Sequence, residues 1–165
     1  MIKDTVIYQA YTDCDLNNYW TKTPYETYFT IGAKSKGTVG ETIVKNYLES
    51  VGFIIKPREN AGHDAIVNGI KTEIKFSLAS KRNLNNEYTF NHIGVNKDWE
   101  RIIFCGINGN LQEKIVWFTN EEIQKILAES NSCFRFQEGD DDFFSMGKNS
   151  TNLLNHSFAK NIMEW

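Results

Sequence analysis

The dipeptide Asn68-Gly69 places the strongest constraint on how this chain can fold. It lies between two short apolar-rich segments. Both positions of a two-residue turn between antiparallel strands favour Asn and Gly, because both need a positive φ. The dipeptide therefore predicts a β-hairpin in which Val67 pairs with Ile70, and the other cross-strand pairs follow from that register.

Two carboxylates meet in this hairpin. The register predicts that Asp64 lies directly across from Glu73, and like charges at that distance destabilise a sheet unless something neutralises them. A divalent cation with oxygen ligands is the usual partner of such a pair. Since side chains alternate between the faces of a strand, Lys75 shares the face of Glu73. These residues predict a metal site with a lysine beside it.

The same residues resemble the motif of the PD-(D/E)XK nuclease superfamily, which includes type II restriction endonucleases, Holliday-junction resolvases and DNA-repair nucleases. Asp64 matches the first part of the motif, and Glu73-Ile74-Lys75 matches the second. The resemblance covers about residues 37–118. It implies an α/β fold with a mixed central β-sheet flanked by helices, whose core is a helix, three strands, a helix or linker, and a strand. A solvated sheet face is the alternative interpretation.

The resemblance also implies a chemistry. Asp64, Glu73 and the backbone carbonyl of Ile74 would hold Mg²⁺, for which Mn²⁺ substitutes. Lys75 would contact the attacking water and the scissile phosphate.

Two further residues have both a catalytic and a structural interpretation. Glu41 lies near the start of the first helix, where many members of the superfamily carry another carboxylate that reaches the metals. Thr38 and Glu41 also have the spacing of a capping box, in which Glu41 would bond the backbone of Thr38. His63 precedes Asp64 but would face the opposite side of its strand, which favours a core or edge histidine over a catalytic one.

Basic and polar residues near the motif are candidates for contacts with double-stranded DNA. They are Lys34, Lys36, Lys71, Lys81, Arg82, Asn91 and His92. Each basic residue fits an ordinary mixed surface equally well, and Asn91 and His92 also fit a plain loop. The net charge of −3 argues against a nucleic-acid partner, but carboxylates concentrated at a metal lower the charge of a chain without removing a local basic cleft.

Hydrophobic periodicity and turn signals order the remaining elements. The predicted elements are a helix over 38–51, strands over 53–56, 63–67, 70–76, 101–107 and 114–118, and a capped helix from Thr119 to about residue 129. Residues 88–93 are predicted to be either a helix or an extended segment.

The 165 residues are enough for one domain with its own core and too few for two. We therefore expect a single nuclease domain with a core over 37–118, an N-terminal arm over 1–36 and a C-terminal extension over 119–165. The three cysteines lack the spacing of a zinc site or a disulfide framework, so a reducing cytoplasm is expected. No segment suggests export, and none is long enough to cross a membrane.

The leading hypothesis is a Mg²⁺-dependent DNA endonuclease of the type II restriction-like kind. Because a double-strand break needs two such sites, we expect a homodimer, and the aromatic N-terminal arm offers an apolar surface for it. The alternatives are a Holliday-junction resolvase or DNA-repair nuclease with the same core, and a non-catalytic nucleic-acid-binding module. A preference for branched DNA would indicate a resolvase. The intact motif argues against the module.

Overall fold

The structure is a computed structural model that describes residue 20 and residues 22–79, 87–137 and 142–165. Most of the predicted N-terminal arm lies outside these ranges. Within them, the helices are α1 (Ala33–Ser50), α2 (Asn120–Leu127) and α3 (Lys148–Leu154). The strands are β1 (Ile55–Pro57), β2 (Ala65–Val67), β3 (Ile70–Leu78), β4 (Tyr88–Ile93), β5 (Arg101–Ile107), β6 (Glu113–Thr119), β7 (Arg135–Phe136), β8 (Phe143–Gly147) and β9 (Lys160–Asn161). Short 3-10 helices cover Glu26–Thr30 and Ile162–Glu164.

The strands form two sheets. The larger is a mixed sheet in the order β1-β2-β3-β5-β6-β9, in which β3 and β5 pair in parallel and the other neighbours are antiparallel. The smaller is antiparallel, in the order β4-β8-β7. Helix α1 packs on β3, α2 on β6 and α3 on β8. The prediction of an α/β fold with a mixed sheet flanked by helices is confirmed, whereas the second sheet was not predicted. None of the helices in the described ranges could span a lipid bilayer.

The hairpin forms with the predicted turn, in which Asn68 has a φ of 49° and Gly69 a φ of 85°. The paired residues are Ala65 with Thr72, Ile66 with Lys71 and Val67 with Ile70. The predicted strand bounds are less accurate. β2 begins at Ala65 rather than residue 63, and β3 continues past residue 76 to Leu78 because its second half pairs with β5.

Helix α1 begins at Ala33 rather than at Thr38. Its N-cap is Gly32, which makes no side-chain hydrogen bond to the helix. The capping box proposed at Thr38 is therefore wrong. Thr38 lies inside the helix, where its carbonyl accepts a hydrogen bond of 2.8 Å from the Thr42 hydroxyl.

The contact between α1 and β3 is close because α1 presents a glycine to the sheet. A Cβ atom added at Gly40 would lie 2.7 Å from the Cβ of Phe76. Gly40, Val44 and Leu48 form the buried face of the helix. The next residue, Glu41, is therefore held at the edge of the contact with the sheet.

Strand β1 begins at Ile55 rather than residue 53. The reason is that the N–H of Ile54 donates to the side-chain oxygen of Asn68, so this residue closes the hairpin turn and does not join the ladder. Pro57 is the last residue of β1, which is an edge strand and tolerates a proline.

The later predictions are closer. β5 covers the predicted residues, and β6 is one residue longer at each end than 114–118. Helix α2 has both hydrogen bonds of the capping box between Thr119 and Glu122, and it ends at Leu127 rather than residue 129. Residues 88–93 are extended, as strand β4.

Aromatic packing joins the two sheets. The ring centroid of Phe104 in β5 lies 5.0 Å from that of Phe90 in β4 and 5.9 Å from that of Phe118 in β6, and all three side chains are fully buried. The N–H of Thr89 donates to the hydroxyl of Ser77 at 3.0 Å. These contacts place the smaller sheet beside the C-terminal half of β3.

Candidate active site

Strand β3 carries Glu73 and Lys75 side by side. Nζ of Lys75 lies 2.7 Å from Oε1 of Glu73, and the side chains are only 16% and 7% exposed. The alternation of the strand thus gives the shared face that the sequence predicts. Because desolvating two charges is unfavourable, a buried pair of this kind is weak evidence for a stabilising role.

The predicted direct pairing of Asp64 with Glu73 is wrong. The N–H of Asp64 donates to the carbonyl of Thr72 at 3.0 Å, although Thr72 already pairs with Ala65, so the regular ladder ends in a bulge here. The carboxylate of Asp64 instead accepts a hydrogen bond from the N–H of Ile74, which lies 2.8 Å from Oδ2. Asp64 nevertheless stays within electrostatic range of Glu73.

The backbone of β3 directs the carbonyl of Ile74 to the side of the strand on which Asp64 lies. Odd-numbered residues of β3 form backbone hydrogen bonds toward β5. The carbonyl of Lys71 accepts from the N–H of Glu100, and the N–H of Ala79 donates to the carbonyl of Ile107. The even-numbered residues of β3 therefore point their N–H and C=O groups to the opposite side of the strand. On that side the carbonyl of Thr72 accepts from the N–H of Asp64, and the N–H of Ile74 donates to the Asp64 carboxylate. The predicted third metal ligand thus lies on the same side of β3 as the first.

Helix α1 adds Glu41 and Lys45 to the site. Nζ of Lys45 donates to the backbone carbonyl of Asp64 at 3.0 Å and lies 3.6 Å from Oε2 of Glu41. Burial raises the pKa of Glu41, repulsion from Asp64 and Glu73 acts in the same direction, and Lys45 opposes it. All three carboxylates therefore interact. The sequence analysis missed Lys45, although its four-residue spacing from Glu41 was a signal for a pair.

The pKa of Glu73 is raised above its ordinary value of 4.5. Burial is the main cause; Lys75 lowers the pKa in part, and Asp64 raises it again. Lys97, in the link between β4 and β5, also lowers it. No local pattern marked Lys97, because only the fold brings it near Glu73. The upward net shift means that these lysines do not fully offset the cost of keeping Glu73 ionised.

The donor set fits a hard divalent cation. Asp64, Glu73 and the Ile74 carbonyl all offer oxygen, and Mg²⁺ is usually bound by one or two carboxylates while it keeps several waters. The hydrogen bond from Ile74 uses one of the two carboxylate oxygens of Asp64, and the pair with Lys75 uses one of the two of Glu73. Among the described residues, no three His, Cys, Asp or Glu side chains form a cluster that could hold a metal ion. A metal here would therefore depend on the backbone carbonyl and on water.

A cleft of about 990 Å³ opens beside Lys75. Four of the predicted DNA contacts line it, namely Lys34, Lys36, Asn91 and His92. Lys71 does not line this cleft but lies near the start of β3, where its Nζ is 2.8 Å from Oδ2 of Asp98. Lys81 and Arg82 lie outside the described residues.

His92 lies at an irregularity in β4. Between Phe90 and Ile93 the pairing with β8 shifts by one residue, and His92 has a φ of 54°, which is uncommon for a residue other than glycine. Its side chain is exposed and lies 3.6 Å from Oδ2 of Asp142. Bulges are frequent beside active sites because they redirect a side chain.

His63 is a core residue, as predicted. It is only 1% exposed, and its Nε2 accepts a hydrogen bond from the N–H of Glu59 at 3.2 Å. His63 is thus held as part of the turn before β2.

The arrangement combines oxygen donors for a cation with an ammonium group that can stabilise negative charge on a bound anion. A cleft with several basic side chains leads to that ammonium group. Comparison with models of known protein families and with curated proteins finds no match to this chain. The functional interpretation therefore depends on the site itself.

Proposed function

We propose that this protein is a Mg²⁺-dependent DNA endonuclease that hydrolyses phosphodiester bonds, and that it is a type II restriction-like enzyme of the PD-(D/E)XK kind. The observation that carries the proposal is the buried pair of Glu73 and Lys75 within electrostatic range of Asp64, together with the cleft that Lys75 lines. Glu41 on α1 lies within electrostatic range of Asp64 and Glu73. A solvated sheet face does not account for Glu73, which is only 5% exposed.

The order of elements also supports the proposal. Helix α1 is followed by strands β1, β2 and β3, a link and strand β5. The resemblance implies this order over about residues 37–118. In the described part of the link the regular element is strand β4, and the resemblance allows either a helix or a linker there.

Each residue of the site would have a distinct role in the reaction. Asp64, Glu73 and the carbonyl of Ile74 would hold Mg²⁺, which polarises a phosphate and lowers the pKa of bound water. Lys45 fixes the backbone of Asp64 through its carbonyl. Lys75, oriented by Glu73, would donate to a phosphate oxygen or to the attacking water, where positive charge stabilises the transition state. Removal of one such group typically lowers the rate by about 10²–10³-fold.

The test is cleavage of a sequenced plasmid with Mg²⁺, followed by mapping of the ends. We expect Asp64→Asn, Glu73→Gln and Lys75→Met each to remove cleavage. Asparagine is preferred to alanine at position 64 because its side-chain oxygen can still accept the N–H of Ile74. Lys125→Met, in an exposed pair with Glu121 on α2, is the matched control and should cut normally.

Two outcomes would count against the proposal. Cleavage at near wild-type rate by any of the three site variants contradicts the assignment of residues. Binding of DNA by the wild-type protein with no cleavage in either Mg²⁺ or Mn²⁺ would favour the non-catalytic module.

A Holliday-junction resolvase or repair nuclease is the second candidate. The observation in its favour is the cleft of about 990 Å³ that Lys75 lines together with Lys34 and Lys36. Comparison of a branched DNA with a linear duplex of the same sequence separates the two candidates, since a restriction-like enzyme cuts the linear duplex at one repeated sequence.

A further inference from the structure

A second cavity is a groove along one edge of strand β6. Its volume is about 590 Å³, within the usual range for a binding pocket, about 300–1,000 Å³. The residues of β6 that line it are Glu113, Lys114, Ile115 and Val116. Since successive side chains of a strand point to opposite faces, a cavity that touches all four lies at the edge of the strand. The groove shares no lining residue with the cleft beside Lys75.

The neighbouring strand β9 covers only part of this edge. It pairs with β6 at Val116 and Trp117, and the chain then turns into the 3-10 helix Ile162–Glu164. A capping box at Asn161 fixes that turn, because its side chain and its backbone N–H both form hydrogen bonds within the helix. Within the described ranges, no strand pairs with residues 113–115 on this side of β6. The groove therefore lies where a longer β9 would continue.

The backbone groups of Glu113 point to this uncovered side. The N–H of Asn108 donates to the carbonyl of Gln112, and the N–H of Asn120 donates to the carbonyl of Glu100. These bonds flank β6 and place its even-numbered residues toward β5, so the N–H and C=O groups of its odd-numbered residues point the other way. Glu113 thus directs one donor and one acceptor away from β5. An extended peptide that adds to a sheet edge pairs with groups of this kind.

Glu113 and Lys114 give this edge a pattern of charges. Both residues are exposed. The ammonium group of Lys114 donates to the side-chain oxygen of Asn155, a neutral partner that uses one of its three donors. Opposite charges at paired positions stabilise a sheet, so an antiparallel peptide should carry an acidic residue opposite Lys114 and, next along its chain, a basic residue opposite Glu113. Apolar residues on either side of this pair would contact the apolar lining, which includes Leu154 and Met163.

A second copy of β6 does not fit this edge. Two-fold antiparallel pairing of residues 113–115 would centre on Glu113, Lys114 or Ile115. The first two arrangements place a charge directly opposite its own copy, which destabilises a sheet. The third places Trp117 of one copy opposite Glu113 of the other, although β9 already pairs with Trp117. Charged residues on an edge strand commonly prevent such self-association.

We propose that the edge of β6 is a docking site for an extended peptide of another protein, which adds to the sheet antiparallel to β6. The peptide carries an acidic residue followed by a basic one, with apolar residues on either side. The backbone N–H and C=O of its basic residue pair with those of Glu113. The inference does not depend on the proposed nuclease function, because β5 separates β6 from the strand that carries Glu73 and Lys75.

The first experiment tests the order of charges. Two fluorescently labelled, amidated peptides of the same composition, Thr-Val-Asp-Lys-Val-Thr and Thr-Val-Lys-Asp-Val-Thr, are titrated with protein. The Asp-Lys peptide should bind wild type more tightly by about fivefold or more. The variant that carries both Glu113→Lys and Lys114→Glu should prefer the Lys-Asp peptide, and exposure of both residues should leave its Tm near that of wild type. Equal affinities of the two peptides for wild type, or no binding of either, would overturn the proposal.

The second experiment tests strand pairing without any change to the protein. In the proposed register the backbone N–H of the peptide's lysine donates to the carbonyl of Glu113, whereas that of its aspartate points away from β6. Methylation of the lysine's backbone nitrogen should therefore weaken binding by about tenfold or more. Methylation of the aspartate's backbone nitrogen is the matched control and should be tolerated. Equal effects of the two methyl groups would refute pairing with this edge.

Light scattering with and without the Asp-Lys peptide tests the alternative occupant. The oligomeric state should be the same in both samples, because the edge of β6 is not an interface between copies of this chain. A dimer that the peptide dissociates would show that a second copy occupies this edge and would overturn the proposal. Neither experiment involves DNA, so either outcome leaves the test of the nuclease unaffected.

Discussion

Replacement of Gly40 by alanine tests the contact that holds Glu41 at the site. The added Cβ would lie 2.7 Å from the Cβ of Phe76 and 2.9 Å from its Cδ1. The Cβ of Phe76 is fixed to the backbone of β3 and cannot rotate away, so α1 and β3 must separate. Gly37→Ala is the matched control, because it is the same substitution one turn earlier in the same helix and its Cβ meets nothing within 4 Å.

The two variants share one energetic term and differ in the other. Alanine is favoured over glycine in a helix by about 0.8–1 kcal/mol, and both variants gain this term. Only Gly40→Ala suffers overpacking, which typically destabilises a core by about 1–3 kcal/mol. Gly37→Ala should therefore be more stable than wild type, and Gly40→Ala should be less stable than Gly37→Ala by about 1–3 kcal/mol.

Thermal and urea unfolding of the three proteins in EDTA measures the difference. For a chain of this length, 1 kcal/mol corresponds to about 2–4 °C in Tm, so the two variants should be readily distinguished. Gly40→Ala should also cleave DNA more slowly if Glu41 contributes to the site, because the helix that carries it is displaced. Equal Tm values for Gly40→Ala and Gly37→Ala would refute the close contact and the position of Glu41 derived from it.

Four further predictions concern the metal, the thiols, the pH dependence and the assembly. Mg²⁺ or Mn²⁺ should support cleavage and Ca²⁺ should permit binding without turnover; undiminished cleavage in excess EDTA contradicts the metal site. Burial raises the pKa of Cys105 to about 12 and that of Cys133 to about 11. In a Cys14→Ser variant, which keeps only these two thiols, a thiol-specific alkylating reagent should react at neutral pH only after unfolding. Rapid labelling of the native variant would count against this. A carboxyl group whose pKa is raised in the folded state binds its proton more tightly when the protein is folded. Metal-free protein should therefore lose stability as the pH rises from about 4.5, the ordinary pKa of a glutamate, through the raised pKa of Glu73. Curves of Tm against pH for wild type and Glu73→Gln should diverge over that interval. Light scattering with Ca²⁺ and a cleavable duplex should show two chains per complex, and a one-chain complex that makes double-strand breaks when Mg²⁺ is added excludes the homodimer.

Local sequence signals correctly predicted the elements whose geometry is determined by neighbouring residues. The turn at Asn68-Gly69 needs two positive φ angles and has them. The capping box of Thr119 and Glu122 forms both of its hydrogen bonds. In each case the chemistry lies within four residues, so the pattern alone is sufficient.

The start of α1 and the pairing at Asp64 were mispredicted for related reasons. Gly32 caps α1 without a side-chain hydrogen bond, so no residue type marked the boundary, and Thr38 supplied a stronger but misleading signal. The predicted hairpin register included one pair too many, Asp64 with Glu73, because the regular ladder stops at Ala65 and Thr72. The hydrogen bond of its carboxylate to the N–H of Ile74 competes with regular pairing, and a periodic pattern does not include such side-chain competition.

The cleft and part of the electrostatic environment of Glu73 depend on contacts between distant parts of the sequence. Phe90 pairs with Ser145 across the smaller sheet, and no local pattern connects these two residues. Lys97 comes near Glu73 only because the link after β4 returns to β5. Sequence reasoning could therefore find the acidic motif but not the cleft that Lys75 lines.

Several locally unfavourable features occur in this one region, and this concentration is the physical argument for a functional site. Glu73 is buried with a raised pKa, the ladder breaks at Asp64, and His92 adopts a left-handed backbone conformation at the cleft. Each feature reduces stability, and a chain selected only for stability would replace a buried charged pair with apolar residues of similar size. Strain and buried charge of this kind are retained where a site needs them. A cation bound between Asp64 and Glu73 would offset their repulsion, so the same cost that makes the metal-free site unfavourable would favour metal binding.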